Sequence, residues 1–355
     1  MNHPFGFLPE VSSMYALVLI AFLAEPATPT GKGIVPDGAK LIKLFTRTAK
    51  IEGGLTEGPA VAPDASIYFS DIPLGADKGQ ILRHDPKTGK TELWIDDSRK
   101  SNGLKFDAEG RLVACEGSDQ GGRAVVRYDL KTKTRTVVAD NYKGKKFNAP
   151  NDLVIDAKGR IFFTDPRYLG DEPRELEHRA VYRIDTDGTV TEVTHEVEKP
   201  NGIGLSPDGK TLYLADHNNG TDKIMPGVKS KPGAMKIYAF PLDEKGNVGP
   251  RKTLYDFGTQ AGCDGMCIDS KGHIYLTSRG MKRPGVLVLT PEGKEAAFIP
   301  TGPADQDPSK EPVGLPSNVT FGIGTESKTL FITVDKSLYR IDLAVEGHHP
   351  ARGTR

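Results

Sequence analysis

An excess of either charge is missing from this chain: across 355 residues Lys and Arg together number 47, and so do Asp and Glu. No global field therefore draws it to nucleic acid or to an anionic membrane surface, and a small partner is expected. Cysteine is scarce and odd in number, at Cys115, Cys263 and Cys267, which argues against a disulfide framework. Cys267 sits among apolar neighbours and reads as core rather than nucleophile. Helical periodicity is nowhere convincing, and past residue 24 no apolar run is long enough to cross a membrane.

The first thirty residues differ from the rest. Tyr15 to Ala24 is an unbroken apolar run, short for a bilayer span, followed by Glu25-Pro26-Ala27-Thr28-Pro29 and a Gly-rich stretch. The run resembles an export signal, although Met1 to Ser13 carries no Lys or Arg. Residues 1–30 are expected to form a signal peptide or hydrophobic leader, with the mature protein periplasmic or secreted and free of the membrane once the leader is gone. Without a working leader it would be cytoplasmic.

What is present is a repeat. An oxygen-bearing residue recurs eight positions ahead of a turn signal: Glu57 before Ala65, Asn102 before Gly110, Asn151 before Gly159, Asn201 before Gly209 and Asp264 before Gly272. A degenerate copy runs from Asn318 to Glu326. Four of the turns read D/S-x-x-G, beginning at Asp107, Asp156, Ser206 and Asp269. Around each lie short β-like runs, such as Ile67–Asp71, Gln80–Asp85 and Thr91–Ile95 in the first unit.

Six such four-stranded units, none able to bury both faces alone, predict an all-β, six-bladed β-propeller over residues 31–343. The last unit ends at Leu343 without a fourth strand, so Ala39 to Thr48 is expected to complete that blade. Residues 344–355, polar and rich in His, Pro and Gly, are expected to be a flexible tail.

Rotational symmetry brings the six polar positions to one end of the central channel. They are two carboxylates and four amides without His or Cys, a donor set suited to a hard cation such as Ca²⁺. Asn102 and Asn318 read first as amides hydrogen-bonding neighbouring strands at the channel neck. Glu57 and Asp264 would repel each other in a narrow channel unless a cation or a shared proton intervened, and here the metal reading prevails.

The strings Thr56-Glu57-Gly58-Pro59, Asn148-Ala149-Pro150-Asn151-Asp152, Lys199-Pro200-Asn201-Gly202-Ile203 and Cys263-Asp264-Gly265-Met266-Cys267-Ile268-Asp269 resemble the successive motifs of the gluconolactonase family, which includes regucalcin, or senescence marker protein. Asp165-Pro166-Arg167-Tyr168 is similar to its bacterial branch. The resemblance implies one divalent cation, with calcium first and Zn²⁺, Mn²⁺ or Mg²⁺ as alternatives, and hydrolysis of a sugar lactone. It implies Glu57, Asn201 and Asp264 as metal ligands, with Asn151 as a fourth ligand or a substrate contact. One departure is Ala149, where the animal members place an arginine.

A cation with open positions can polarise a lactone carbonyl, and a carboxylate beside it can take a proton from water. Asp264 is expected to be that general base and Glu57 a pure ligand. Loops at the channel mouth nominate further substrate contacts: Arg167 and Tyr168 first, then Asn102, His178 and His217, with Asp71 and Arg279 also at the rim. The inserts Asn218–Ala234 and Thr301–Ser317 are long enough to act as lids. A monomer or weak dimer is expected. Two rivals remain open at this point: an organophosphate-type hydrolase on the same propeller, and a non-catalytic propeller that binds a ligand or protein and uses the ion as a tie.

Overall fold

A computed structural model describes residues 27–47, 54–75, 77–222 and 231–352. Most of the expected leader and the core of the Asn218–Ala234 insert lie outside the described residues. Six four-stranded antiparallel sheets stand in a ring, and no α-helix occurs among the described residues. The innermost strands, taken round the ring, are Leu55–Val61, Ser101–Phe106, Leu153–Ile155, Pro200–Leu205, Cys263–Ile268 and Pro316–Phe321. They begin blades 1 to 6 in chain order. Ile42–Thr46 pairs antiparallel with Ser337–Asp342 and so completes blade 6, as its unpaired sequence at the other end of the repeat predicted. The added strand lies outermost and covers the edge that Ser337–Asp342 would otherwise expose.

Burial follows the blade interfaces. Each sheet is hydrophobic on both faces, and six apolar clusters fill the six gaps between neighbouring blades. The gap between blades 1 and 2, for example, stacks Tyr68, Trp94, Phe106 and Tyr128 edge to face, with ring centroids 5.0 to 5.7 Å apart. The D/S-x-x-G signals close as tight turns. Gly110, Gly159, Gly209 and Gly272 donate back to residues 107, 156, 206 and 269 at 2.9 to 3.0 Å, each at a φ between 67° and 86° that favours glycine.

The C-terminal stretch, expected to be loose, is hydrogen-bonded to the propeller. Ser270 N–H donates to Glu346 O, Gly347 N–H to Ser327 O and His348 N–H to Ile268 O, at 2.8 to 3.0 Å. His349 Nε2 lies 3.0 Å from Gly322 O. This stretch covers one end of the channel, over Val61, Phe106, Ile155, Leu205 and Ile268. Its polar composition conceals the docking because the bonds run through backbone groups.

Candidate active site

The opposite end of the channel opens into a cavity of about 260 Å³ lined by Glu57, Asn102, Asn151, Asn201 and Asp264. The backbone aims these side chains. In four blades the pairing of the innermost strand slips across the polar residue, between Glu57 and Ala60, Ser101 and Leu104, Pro200 and Ile203, and Cys263 and Met266, and in blade 6 it slips between Pro316 and Asn318. A bulge of this kind leaves one residue out of the ladder and turns its side chain, here toward the axis. In blade 3 the slip falls before the strand, with Asn151 N–H donating to Thr164 O and Thr164 N–H to Asp152 O.

Glycine follows the polar residue in those four blades, and the reason is the neighbouring blade. A Cβ on Gly58 would stand 2.1 Å from Asn102 O, and one on Gly202 would stand 2.3 Å from Asp264 O. Hydroxyls on the second strands fasten the same neck: Ser70 Oγ donates to Asn102 O, Thr164 Oγ1 to Asn201 O and Thr277 Oγ1 to Ser317 O, at 2.8 to 3.0 Å. These positions were missed from sequence, yet the signal is there. The matching position of the second strands reads Ser70, Cys115, Thr164, Ala215, Thr277 and Thr333, always small and mostly hydroxylated. The next residue is acidic in four blades, and two of these fix the approach to a site amide. Asp165 accepts from the N–H groups of Asn148 and Ala149, and Asp216 from those of Glu198 and Lys199. Burial pushes their carboxyls up to about 7 and about 6.

Electrostatics concentrate on Glu57 and Asp264. Burial, then the Asp264 charge, holds the Glu57 carboxyl well above its ordinary range, against a 2.8 Å bond from its neighbour Gly58 N–H. Asp264 is raised by burial and held back by Arg279, whose Nη1 stands 3.3 Å from its Oδ2. Asp152, one residue past Asn151, is raised by burial too, and accepts at 3.4 Å from Asn318 Nδ2 across the channel. Asn318 thus serves the neck, as read, whereas Asn102 lines the cavity with a buried Oδ1 that no donor among the described residues reaches.

Of the other nominated contacts, Tyr168 and His217 line the cavity. Tyr168 donates to His217 O at 3.0 Å and receives Asn201 Nδ2 at 3.1 Å. His217 Nδ1 faces Cys263 O at 3.0 Å, so the proton sits on Nδ1 and the lone pair on Nε2. Burial lowers this imidazole to about 4, and it is neutral. Arg279 joins them. Arg167 and His178 do not. Arg167, at φ 88°, is buried and turned onto Leu169 O and Glu172. His178 stacks on His195 with centroids 4.1 Å apart. Asp71 is committed to a buried ion pair with Arg47. The Thr301–Ser317 insert bonds to itself and to Asp335 without lining the cavity.

The donors fit a hard divalent cation. Among the described residues no three His, Cys, Asp or Glu side chains converge, so an ion here would draw on amide oxygens alongside the two carboxylates. The orphaned Asn102 Oδ1 and the raised Glu57 and Asp264 carboxyls are what such a set looks like with its charge unbalanced.

Residues 55–336 match the family model described as SMP-30/Gluconolactonase/LRE-like region. At 27% identity over 94% of this chain and 96% of the relative, the sequence is similar to a gluconolactonase of Zymomonas mobilis. It is 30% identical to a pentonolactonase of Haloferax volcanii over 65% of this chain and 68% of the relative. Among solved structures, a gluconolactonase from Xanthomonas campestris superposes with a TM-score of 0.71 at 27% identity, covering 90% of this chain and 96% of that one. A calcium-binding protein, regucalcin, from Agrobacterium tumefaciens shares the fold at 18% identity, with a TM-score of 0.66 over 88% of this chain and 96% of that one.

Proposed function

Because the chain belongs to the SMP-30/gluconolactonase/LRE-like family, we propose that its cavity opens a sugar lactone by water attack, with Asp264 as general base. The chain is a lactone hydrolase, as its gluconolactonase and pentonolactonase relatives support. One observation carries the finer reading. Two buried carboxylates with raised pKa values share the floor of an open cavity with Asn151 and Asn201. A cavity above the polar ring also favours an enzyme over a propeller that merely ties its blades with an ion.

Each residue has a derivable task. Arg279 engages Oδ2 of Asp264 and holds the carboxylate in place to accept a proton from the attacking water. Tyr168 and Asn201 hold each other in place, so the Asn201 amide oxygen is presented in one orientation. As the ring C–O bond breaks, the proton on Asp264 passes to the departing oxygen, giving the hydroxy acid. Glu57, Asn151, Asn201 and Asp264 would hold a divalent cation, calcium by preference, which when bound supplies charge to stabilise the carbonyl oxygen as it turns into an oxyanion.

A panel of five- and six-membered aldonolactones, assayed with calcium, zinc, manganese and chelator, tests this. Asp264→Asn is expected to lose roughly 10²- to 10⁴-fold in kcat, and Glu57→Gln to lose metal by mass spectrometry along with activity. Full turnover by Asp264→Asn with its metal retained would remove Asp264 from the base role.

A further inference from the structure

The cavity wall is unequal around the ring. On the side of blades 4 and 5 it offers hydrogen-bonding groups from His217, Asp264 and Arg279 beside Asn201. His217 presents an acceptor at Nε2. Arg279 spends only Nη1 on the protein, at Pro316 O and Asp264. On the side of blades 1 to 3, above the floor amides, the wall is Leu55, Ile72, Leu74, Ala149, Pro150 and Leu169. The polar side chains interleaved there are already committed: Lys100 Nζ to Gly75 O and Asp119, Ser118 Oγ to Leu169 O, and the Tyr168 hydroxyl to His217 O while it accepts from Asn201 Nδ2.

A fully hydroxylated aldonolactone would turn some of its hydroxyls onto this second wall, where they would lose water and gain no partner. We propose, on the lactonase reading above, that the site selects deoxy-aldonolactones: lactones with hydroxyls along one edge and a methyl in place of the exocyclic hydroxymethyl on the other. The carbonyl and hydroxyl edge lies toward blades 4 and 5, and the methyl lies against Leu74 and Leu169. A reaction that oxidises a deoxysugar at its anomeric carbon would supply such a substrate, and the product is the corresponding deoxyaldonic acid.

Matched pairs test the idea: D-glucono-δ-lactone against its 6-deoxy counterpart, and L-galactono-γ-lactone against L-fucono-γ-lactone. The deoxy member of each pair is expected to lead in kcat/KM by roughly 10- to 100-fold, the scale on which an apolar pocket sorts substrates by one small group. Leu74→Asn, which offers the wall a hydrogen-bonding group, is expected to shrink that lead. Equal or better turnover of the hydroxylated partners would overturn the selectivity while leaving the lactonase reading intact. Failure to open either member of either pair would overturn both.

Discussion

The two ends of the central channel are built from the same strands and behave as opposites. Glu57, Asn102, Asn151, Asn201 and Asp264 stand at one end, and four residues further along each chain stand Val61, Phe106, Ile155, Leu205 and Ile268 at the other. The first end is open, charged and unbalanced. The second is apolar and capped by His348 to Arg352. In blades 1, 2, 4 and 5 a single strand thus carries a polar cavity group where the pairing slips and a sealing group where it is regular, which separates chemistry from stability along the channel axis.

The comparison breaks most visibly if the mouth governs stability. Asp264→Asn is expected to remove most turnover while leaving Tm in metal-free buffer unchanged or higher, since it deletes one of two buried carboxylates that repel each other. A clear loss of Tm on calorimetry would mean that the mouth also holds the fold. At the far end the signs reverse. Removing residues 346–355 takes away several backbone bonds and the cover over the apolar ring, so a loss of about 2–4 kcal/mol in unfolding free energy is expected with kcat nearly intact. A collapse in kcat with unchanged stability would overturn the division.

The smallest effect sharpens it. Burial lowers His349 to about 4, whereas an undocked imidazole titrates near 6.5. The docked tail therefore binds fewer protons, and docking weakens as pH falls from about 6.5 toward 4, by about 3 kcal/mol. The protection factors of the tail amides, which divide out the intrinsic pH dependence of exchange, should fall across that window, and those of His349→Gln should stay nearly constant. Protection factors in the unsubstituted protein that ignore pH would place the seal elsewhere.

The eight-residue offset carried the blade count and the gathering of Glu57, Asn102, Asn151, Asn201 and Asp264 around one cavity, because a turn and the strand before it are local in the chain. The closing strand was legible from a count of strands, one too few at the end and one to spare at the beginning. Arg167 and His178 were misplaced as contacts because loop membership says nothing of direction. The positive φ at Arg167 turns its guanidinium into the protein, and His178 stacks on His195 at the end of the adjoining strand of its own blade. The tail was misread because composition does not register bonds made through peptide groups.

By itself the sequence determined the repeat, and with it the ring, since a unit that cannot bury both faces must find neighbours. Only the tertiary structure decided which groups share a field. Arg279 reaches Asp264 from the end of its own hairpin, Tyr168 of blade 3 reaches Asn201 of blade 4, and Asn318 meets Asp152 across the axis from 166 residues away. Coulombic and hydrogen-bonding terms depend on distance through space, and in a closed ring that distance bears no relation to separation along the chain.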